Sequence, residues 1–550
     1  MAELIINPFR IRQETGLDVF RDFLFPKLQL ASWKMHGPFI VKTQQGTFAF
    51  GRMHERGYFQ GMILPGDIKI GYFRPYFLFA PGPERPYPDA VAAIHAACGD
   101  EELIVDYETP VALYESIRKT VNTRLPEKFQ LVSGTVFKQS TDAVEQLLNS
   151  LRPQLTAIAG SLVDTLKTDK KTILKQYLDL SGFGRFEVLD RYLLEHKLAG
   201  VIVTSPLNVQ EIAGIPQRWN RGGIIALYQT GKREVTVVFT NKLGTMRQGH
   251  GVVDVPRFRA LLPDGVIGIE EEDMSVGEYL GLGLDSRETV PASAIIRDWR
   301  EEWAGNDLAA YIIAGLASIR GIEAALDETS RRVREGWPVN EKDVYGFYIN
   351  RIDEFMDAHG VPLTYEVYFA NLHSGNRSES PSCYKDYLVT RHSNSLKFDS
   401  GIKLYDESGF LRGVSDVART ACFNREAESL YGLLEKIMLE TGIPAAKANA
   451  TGSDVYKVSC GAVDQKLDFI RTLGLIPLHI EHLSDVFTRD VGHVMGKEEP
   501  ANLCFAKNDQ RRLKPGMIGC FEWQWGYKRH SIGVEDSFVV TTDGPAIFTR

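Results

Sequence analysis

The chain has 550 residues, of which 44% are hydrophobic and 24% are charged. A single hydrophobic core stops growing well short of this length, so we expect three domains, each able to bury a core without disulfide bonds. The formal net charge of −8 argues against a nucleic-acid partner, because phosphate backbones call for a basic protein face. The acidic balance favours a soluble protein of the cytoplasm.

The N-terminal residues and the cysteines favour the same compartment. Met1–Arg12 lacks a basic stretch followed by an apolar one and a cleavage site, and no uninterrupted apolar run is long enough to span a bilayer. The cysteines are scattered and form no CxxC pair, so neither a disulfide framework nor a thiolate zinc site is indicated. They are Cys98, Cys383, Cys422, Cys460, Cys504 and Cys520. We expect buried free thiols and no membrane partner.

Residues 1–175 predict a divergent α/β domain that ends in a linker helix. Glu102–Arg118 echoes Gly265–Gly281, since both place an apolar strand before acidic residues and a helix start. Each of these two segments is followed by a stretch that predicts one long amphipathic helix, Thr141–Leu166 and Asp307–Val333. Lys167–Lys175 is either a linker or a solvated helix. We therefore expect tandem copies of one small domain.

Residues 176–300 predict a second small α/β domain. The helical pattern Phe186–Lys197 precedes the β-branched run Gly200–Thr204, and two further strands follow at Ile224–Tyr228 and Glu234–Thr240. Alternating helices and apolar strands are typical of parallel or mixed sheets covered by helices. The chain is therefore assigned to the α/β (α+β) class, with residues 301–550 as its third domain.

The informative part of the third domain begins at Leu396. The string LKFDSGI places Asp399 at the end of an apolar strand, and LRGVSDVART places Asp416 in a second strand after the polar connection KLYDESGF. The connection predicts a hairpin, so the two carboxylates can share a site. Aspartate at strand ends is also common in turns and caps, and the pair alone is a weak signal.

Three further polar residues lie in glycine-rich or apolar strings. His493 lies in DVGHVMGKEEP, Glu522 in KPGMIGCFEWQW and Glu535 in SIGVEDSFVVT. A histidine in such a place is often a structural hydrogen-bonding residue. An unpaired carboxylate in an apolar strand is expensive to bury and calls for a cation or a hydrogen-bond donor. The two glutamates are thirteen residues apart, so their strands can form a hairpin.

These residues together form an oxygen-rich set with a single nitrogen. The set consists of Asp399, Asp416, His493, Glu522 and Glu535. It suits Mn, Fe, Co or Zn, and bridging carboxylates can hold two ions a few ångströms apart. We predict a centre of two divalent metal ions that lowers the pKa of a bridging water and polarises the group under attack.

The order Asp, Asp, His, Glu, Glu and the strings VSDVART, PGMIGCFEWQWG and GVEDSFVVTTDGP resemble the pita-bread metallopeptidase superfamily. That superfamily includes methionine aminopeptidase, aminopeptidase P, prolidase and creatinase. The resemblance implies that Asp399 binds one metal and that Asp416 and Glu535 bridge both. It implies that His493 and Glu522 complete the other site. It also implies a C-terminal pita-bread domain behind one or two creatinase-type N-terminal α/β domains, manganese as the preferred ion with Co, Zn or Fe as alternatives, and a homodimer.

The surroundings of the metal set depart from the family's pattern. Where the family presents a Pro-His pair, Ser382 follows a proline, and a histidine-containing string is replaced by Lys497–Pro500 with Glu499 on that wall. Arg489 stands where another histidine is frequent, and Gly533 replaces an arginine. These changes argue against a routine proline-specific peptidase, because the loss of donors to a reaction intermediate slows catalysis by orders of magnitude.

Other groups near the motifs are candidates to replace the missing donors. They are His373, Arg377, His392, Arg489 and His530. For each of them a structural role is favoured over a catalytic one, and either arginine could clamp a substrate carboxylate. The spacing of seventeen residues between Asp399 and Asp416 indicates an insertion in the hairpin.

Two classes of function stay open. The first is a metallohydrolase that cleaves an amide or other C–N bond in an Xaa-Pro peptide or a small polar substrate, or a specialised member with C–N hydrolase or lyase chemistry. The second is a catalytically inactive binding module, as in a histone-chaperone subunit. Retention of all five ligands favours the enzyme, because an uncompensated acid cluster is unfavourable in a binding module.

Overall fold

The computed structural model describes residues 1–19, 35, 37–52, 56–59, 68–73, 86–125, 133–179, 184–220, 222–240, 260–377, 384–485, 487, 489–498 and 503–550. In these residues the chain forms three sheets, each with helices packed on it. The mixed α/β class predicted from the sequence is confirmed.

The first sheet has the strand order β4-β3-β2-β1-β5-β6. Its strands are β1 (Ala2–Ile5), β2 (Phe39–Thr43), β3 (Gly46–Arg52), β4 (Ile68–Phe73), β5 (Leu103–Val105) and β6 (Thr123–Arg124). The helices in this part of the chain are Pro8–Thr15, Arg56–Phe59, Ala90–Cys98 and Val111–Ile117. Strands β1, β2 and β3 pair antiparallel, whereas β1 with β5, β3 with β4 and β5 with β6 are parallel.

The second sheet has the order β12-β11-β8-β9-β10-β7. Its strands are β7 (Ser133–Ser140), β8 (Gly200–Val203), β9 (Ile224–Gln229), β10 (Glu234–Thr240), β11 (Ile267–Ile269) and β12 (Thr289–Pro291). Its helices are Arg185–Glu195, Pro206–Ala213, Val276–Gly281 and Ser293–Trp303. The edge strand β7 precedes residue 176 in the chain, whereas the other five strands follow it, so this sheet contains residues from both sides of the predicted boundary. The three domain limits remain a prediction.

The two segments of similar sequence pattern, Glu102–Arg118 and Gly265–Gly281, contact each other. Each contains a strand followed by a helix, β5 with Val111–Ile117 and β11 with Val276–Gly281. The amide of Val111 donates to Met274 O at 2.9 Å, and the amide of Gly277 donates to Tyr107 O at 3.0 Å. The helix starts of the two segments therefore join the first sheet to the second.

Three helices lie between β7 and the helix Arg185–Glu195, at Thr141–Asn149, Arg152–Thr165 and Lys171–Asp179. The single helix expected over Thr141–Leu166 is wrong, because the chain breaks after Asn149 and restarts with a proline in the first turn. Proline is tolerated at the start of a helix but not in its interior. The helix Lys171–Asp179 covers the second half of the predicted linker and has Leu174 and Leu178 buried.

The third sheet has the order β13-β14-β16-β19-β18-β17, with β15 paired to β14 and β20 to β19. Its strands are β13 (Thr364–Ser374), β14 (Ser395–Tyr405), β15 (Leu411–Val414), β16 (Val417–Cys422), β17 (Gly492–Val494), β18 (Ile518–Tyr527), β19 (His530–Val539) and β20 (Ala546–Ile547). Its helices are Leu308–Glu335, Glu341–Ala358, Arg425–Ile437, Ile443–Ala445, Gly452–Asp464 and Leu467–Thr472.

The 28-residue helix Leu308–Glu335 belongs to the largest hydrophobic core, together with residues of β14 and β16. It ends at Gly336, whose φ of 77° is readily adopted only by glycine. By length and composition the segment Ser293–Glu335 could cross a membrane, but 83% of its apolar window is buried inside the protein. Such burial is typical of a core helix.

Candidate metal centre

Strand register places three of the predicted carboxylate ligands in one row across the sheet. Asp399 of β14 lies opposite Ala418 of β16, and Ala418 lies opposite Glu535 of β19. Glu535 in turn lies opposite Glu522 of β18. Residues directly opposite each other in neighbouring strands share a face of the sheet. The three carboxylates therefore project from one face, and the small side chain of Ala418 leaves space between them.

A second row lies beside the first on the same face. Cys520 of β18 lies opposite both His493 of β17 and Ser537 of β19. Ser537 Oγ donates to the backbone oxygen of Asp416 at 3.0 Å. Cys520 and Glu522 are two residues apart on one strand, so they point the same way. Asp416 itself lies in the two-residue break between β15 and β16.

Donor atoms from both rows converge on Asp416. Carboxylate oxygens of Asp399, Asp416 and Glu535 lie within 4.8 Å of one another. Donor atoms of Asp416, His493 and Cys520 form a second group of the same size. His493 Nε2 lies 3.6 Å from Asp416 Oδ2. The structure thus brings together four of the five predicted ligands, with Asp416 common to both groups.

The fifth predicted ligand, Glu522, lies next to the cluster but already has a cationic partner. It is buried opposite Glu535, and its Oε1 accepts a short hydrogen bond from Arg489 Nη2. Among the described residues Glu522 joins neither group of converging donors. Its place as a ligand therefore remains a prediction.

Burial dominates the electrostatics of the four acids. It raises the pKa of Glu535 well above its usual value, and the neighbouring carboxylates raise it further. Burial also raises the pKa of Asp416 and of Glu522. It raises the pKa of Asp399 to about 6, although the charge of Lys397 lowers it. Burial and mutual repulsion therefore disfavour the charged forms of these acids, and a bound cation would offset that cost.

His493 shows the opposite balance. Burial alone would lower its pKa, but the hydrogen bond with Asp416 and the charge of that carboxylate outweigh burial and raise the pKa to about 9. Its Nδ1 lies 3.2 Å from Val494 O. A backbone acceptor at one ring nitrogen orients the ring and leaves the other nitrogen, near Asp416, available for a ligand.

The donor set fits a divalent cation. Glu535 Oε1 is buried and has no hydrogen-bond partner among the described residues. A buried carboxylate oxygen without a donor is unfavourable unless a cation compensates it. Carboxylate and imidazole ligands are those used by Mn, Fe, Co and Zn.

Besides Arg489, a second protein cation, Lys397, borders the cluster. Lys397 Nζ lies 3.6 Å from Asp399 Oδ2 and donates to Gln524 Oε1 at 2.6 Å. Gln524 Nε2 donates to Asp399 Oδ2 at 3.1 Å. A Cβ atom on Gly533 would lie 2.8 Å from Lys397 Cδ. The glycine found in place of the family's arginine therefore makes room for the lysine.

The remaining catalytic candidates have structural partners. His373 Nε2 is bonded to Ser531 Oγ at 2.7 Å, and burial together with the charges of Lys397 and Arg377 lowers its pKa well below the usual value. Arg377 is buried in an ion pair with Glu341 at 2.5 Å. These contacts favour the structural interpretation of both residues.

The other two histidines also lie outside the converging groups. His530 Nε2 is 3.1 Å from Asn424 Nδ2, and its Nδ1 is 2.9 Å from Lys528 O. His392 is exposed in a short helix. Arg489 is the one catalytic candidate that contacts a predicted ligand, through Glu522.

The residues that follow His493 are held in place by ion pairs. Lys497 Nζ lies 2.7 Å from Asp307 Oδ2, and Glu498 Oε2 lies 2.5 Å from Arg300. These two side chains therefore tie the loop to helical segments. Ser382, Glu499 and Pro500 lie outside the described residues.

Two expectations about the first hairpin are wrong. Asp399 lies in the middle of β14 rather than at a strand end, and the residues KLY continue the strand to Tyr405. The connection is therefore only residues 406–410. The chain contributes further site residues that the motifs did not indicate: Asn371, Lys397, Cys520 and Gln524. Cys520 and Gln524 could have been found from their spacing of two residues from Glu522 on one strand.

The sequence matches no family model and no curated protein. Among solved structures, an X-prolyl aminopeptidase from Caenorhabditis elegans, described as a cytosolic enzyme with a di-nuclear active site, matches with a TM-score of 0.59 at 11% identity. The match covers 100% of this chain and 86% of that chain. An Xaa-Pro dipeptidase from Bacillus anthracis matches at 16% identity with a TM-score of 0.48, over 66% of this chain and 97% of that one.

The N-terminal domain of FACT complex subunit SPT16 from Eremothecium gossypii matches at 12% identity with a TM-score of 0.46, over 67% of this chain and 96% of that one. The last two scores are too low to support an argument. The likeness to the nematode enzyme establishes the fold alone: this chain has the pita-bread fold behind two α/β domains, as the sequence resemblance implied.

Proposed function

We propose that the protein is a metal-dependent hydrolase that cleaves an amide or other C–N bond. Its substrate is a short peptide, such as an Xaa-Pro peptide, or a small polar molecule. The observation that carries the proposal is the convergence of Asp399, Asp416 and Glu535 with His493 on one buried face. Fold likeness alone does not fix a reaction.

The ligands divide as the family resemblance implies. By that resemblance Asp399, Asp416, Glu535, His493 and Glu522 would together hold the two ions, with Asp416 and Glu535 shared between them. Divalent ions at such a site supply a nucleophile near neutral pH and polarise the bond under attack. The oxygen ligands by themselves favour manganese, with cobalt, zinc or iron as alternatives.

The protein's own residues orient this set. Gln524 and Asn371 donate to Asp399 Oδ2 at 3.1 and 3.5 Å, which directs the other oxygen of Asp399 toward the cluster. Lys397 offsets part of the negative charge beside Asp399. Partners of this kind, one contact behind the ligands, typically change metal affinity by about 10–100-fold.

Arg489 occupies the side of the site next to Glu522. Its side chain is 19% exposed, and its Nη2 also lies 3.7 Å from Asp490 Oδ1. An arginine that is both partly accessible and adjacent to the ligands is suited to bind a carboxylate of the substrate. We further propose that the enzyme is cytoplasmic and forms a homodimer.

The test combines metal analysis with a parallel substrate screen. The purified protein is assayed for bound metal and then, with added Mn²⁺, Co²⁺ or Zn²⁺, against Xaa-Pro dipeptides, longer Xaa-Pro peptides and non-peptide amides. His493→Ala should abolish metal-dependent turnover, whereas His392→Ala, at an exposed histidine, should retain it. Failure of the wild-type protein to bind any of these ions would refute the proposal.

One observation favours a second candidate, a metal-free binding module. Arg489 is bonded to Glu522, and Lys397 lies beside Asp399, so two of the five predicted ligands already have protein cations. Against this candidate, neither cation satisfies Glu535 Oε1. Metal analysis separates the two functions, because the module would bind no divalent ion.

A further inference from the structure

We propose that Cys520 is an additional ligand of the metal centre and that its sulfur gives the site a preference for Zn²⁺, Co²⁺ or Fe²⁺ over Mn²⁺. This inference rests on the proposed metal-dependent function and specifies which ions that function uses. It departs from the all-oxygen-and-nitrogen set expected from the sequence.

The position of the thiol carries the proposal. Cys520 is fully buried, and its Sγ lies 3.4 Å from His493 Nε2. It belongs with Asp416 and His493 to a group of donor atoms that all lie within 4.8 Å of one another. A separation of this size between donors is compatible with one shared ion, since zinc ligands lie about 2.0–2.3 Å from the metal.

The strand pairing fixes this position. Cys520 is opposite His493 in the β17–β18 pair and two residues before Glu522 on β18. All three side chains therefore leave the same face of the sheet. Asp416 belongs to both groups of converging donors. One group adds the carboxylates of Asp399 and Glu535, and the other adds the imidazole of His493 and the thiol of Cys520.

A second observation also indicates a missing cation at this place. Glu535 Oε1 is buried with no hydrogen-bond partner among the described residues, and Glu535 belongs to the group that shares Asp416 with Cys520. The Cys520 thiol is hydrogen-bonded to the Glu535 carboxylate, but this bond does not satisfy Oε1, for which a cation would compensate.

The alternative interpretation is that Cys520 merely fills space. Its Sγ lies 3.6 Å from His493 O, a distance compatible with a weak S–H donor to a backbone oxygen. Binding to a metal would replace this contact: sulfur donates a lone pair to the cation, and the thiol proton leaves to solvent.

A thiolate changes which ions bind well. Sulfur ligands favour zinc and other softer ions, whereas sets of carboxylates and water suit manganese and magnesium. The ratio of Zn²⁺ affinity to Mn²⁺ affinity should therefore be higher in the wild-type protein than in a variant that has an oxygen atom in place of the Cys520 sulfur. We expect the ratio of Zn²⁺ to Mn²⁺ affinity to fall by about tenfold or more in Cys520→Ser, since even indirect partners of a metal change affinity by about 10–100-fold.

Cobalt substitution of the full-length protein tests the proposal without an activity assay. Bound Co²⁺ with a sulfur ligand gives a near-ultraviolet charge-transfer absorption in addition to its weak visible bands. We expect this absorption in the wild-type protein and in Cys460→Ser, a control at a buried free thiol elsewhere in the same domain. We expect Cys520→Ser to keep the visible bands and lose the charge-transfer absorption.

The outcomes separate this inference from the proposed function. If wild-type protein binds Co²⁺ without the charge-transfer absorption, Cys520 is not a ligand, although a metal-dependent function survives. If no Co²⁺ binds at all, both proposals fail. If Cys520→Ser does not fold, the wild-type spectrum and its retention in Cys460→Ser still decide the question, supported by the ratio of Zn²⁺ to Mn²⁺ affinity in Cys520→Ala.

Discussion

Glu522 and Glu535 lie directly opposite each other in the β18–β19 hairpin, and their exposed fractions are only 6% and 1%. Like charges in this relationship repel each other across a sheet. Burial raises the pKa of both groups, that of Glu535 well above its usual value. Arg489 offsets the charge of Glu522. A divalent cation bound by both carboxylates would turn the repulsion into attraction.

Replacement of Glu535 by glutamine should therefore have opposite effects with and without metal. In metal-free protein burial and the neighbouring carboxylates disfavour the charged form of Glu535 and raise its pKa well above the usual value, and glutamine removes that charge. We expect the free energy of unfolding of metal-free Glu535→Gln to be higher than that of the wild-type protein. The stabilisation that Mn²⁺ or Zn²⁺ gives the wild-type protein should disappear.

Thermal unfolding in EDTA and in excess metal measures both effects. Glu366→Gln, at an exposed position on β13 of the same sheet, is the control and should respond to metal as the wild-type protein does. An equal metal-induced rise of Tm in Glu535→Gln would show that Glu535 is not a ligand.

Gly533 and Lys397 should be energetically coupled. A Cβ atom on residue 533 would lie 2.8 Å from Lys397 Cδ and 3.0 Å from Gln524 Oε1, so Gly533→Ala overpacks a buried site. We expect a loss of about 1–3 kcal/mol in the free energy of unfolding. In a Lys397→Ala background the same change should be less costly, because the clashing methylenes are gone.

A double-mutant cycle by denaturant unfolding checks the coupling. Gly461→Ala is the control, because a Cβ there meets nothing within 4 Å, and alanine in a helix is favoured over glycine. Additive effects of Gly533→Ala and Lys397→Ala would contradict the inference that the glycine exists to accommodate the lysine.

The hairpin of Glu522 and Glu535 could be predicted because its signals are local. Apolar strands flank a short connection, and the register Glu522 opposite Glu535 follows from where the turn falls. The connection after Asp399 was mispredicted because Lys403 suggested a solvated loop. Lys403 is only 4% exposed and lies over the ring of Tyr368 at 5.4 Å, so tertiary packing extends the strand.

The contacts of Cys520 and Lys397 could not be read from the sequence. Cys520 meets His493 through the pairing of β17 with β18, and Lys397 meets Gln524 although they are 127 residues apart. Such contacts depend on the order and register of strands that are distant in sequence. The metal-ligand motifs were recognisable because each is carried by a local string, whereas their neighbours depend on the assembled sheet.

His373 should make stability depend on pH. Its pKa lies well below the usual value because burial and nearby positive charges disfavour the imidazolium form. The unfolded chain binds a proton below about pH 6.5 and the folded chain does not, so stability from this group is complete above pH 6.5 and is lost as pH falls. The loss begins near pH 6.5 and grows as the pH falls toward the lower pKa of the folded state.

His373→Asn should flatten this part of the pH dependence. Denaturant unfolding in EDTA between pH 7.5 and 5 measures it without interference from metal release. His392→Asn, at an exposed histidine, should leave the slope unchanged. Parallel pH profiles of His373→Asn and the wild-type protein would contradict the buried, neutral state of the ring.

We expect Gly409, in the turn after β14, to be required because Trp219 packs against it. Trp219 Nε1 donates to Ser408 O at 2.9 Å, and a Cβ on Gly409 would lie 2.2 Å from the same nitrogen. Gly409 has a φ of 87°, so Gly409→Ala suffers both a left-handed backbone and a clash. Gly231, with a φ of 74° and open space around it, is a control for the backbone effect alone.

We expect Gly231→Ala to lower the free energy of unfolding by about 1 kcal/mol. Gly409→Ala should lower it by about 1 kcal/mol more, because the exposed Trp219 ring must move and lose its hydrogen bond to Ser408 O. In a Trp219→Ala background the two substitutions should become equally costly, because only the backbone effect remains. The turn joins β14, which carries Asp399, to β15, which leads into Asp416. Gly409→Ala should therefore also weaken Zn²⁺ binding, whereas Gly231→Ala should not. Equal costs of the two substitutions in the presence of Trp219 would mean that the inserted turn does not depend on this contact.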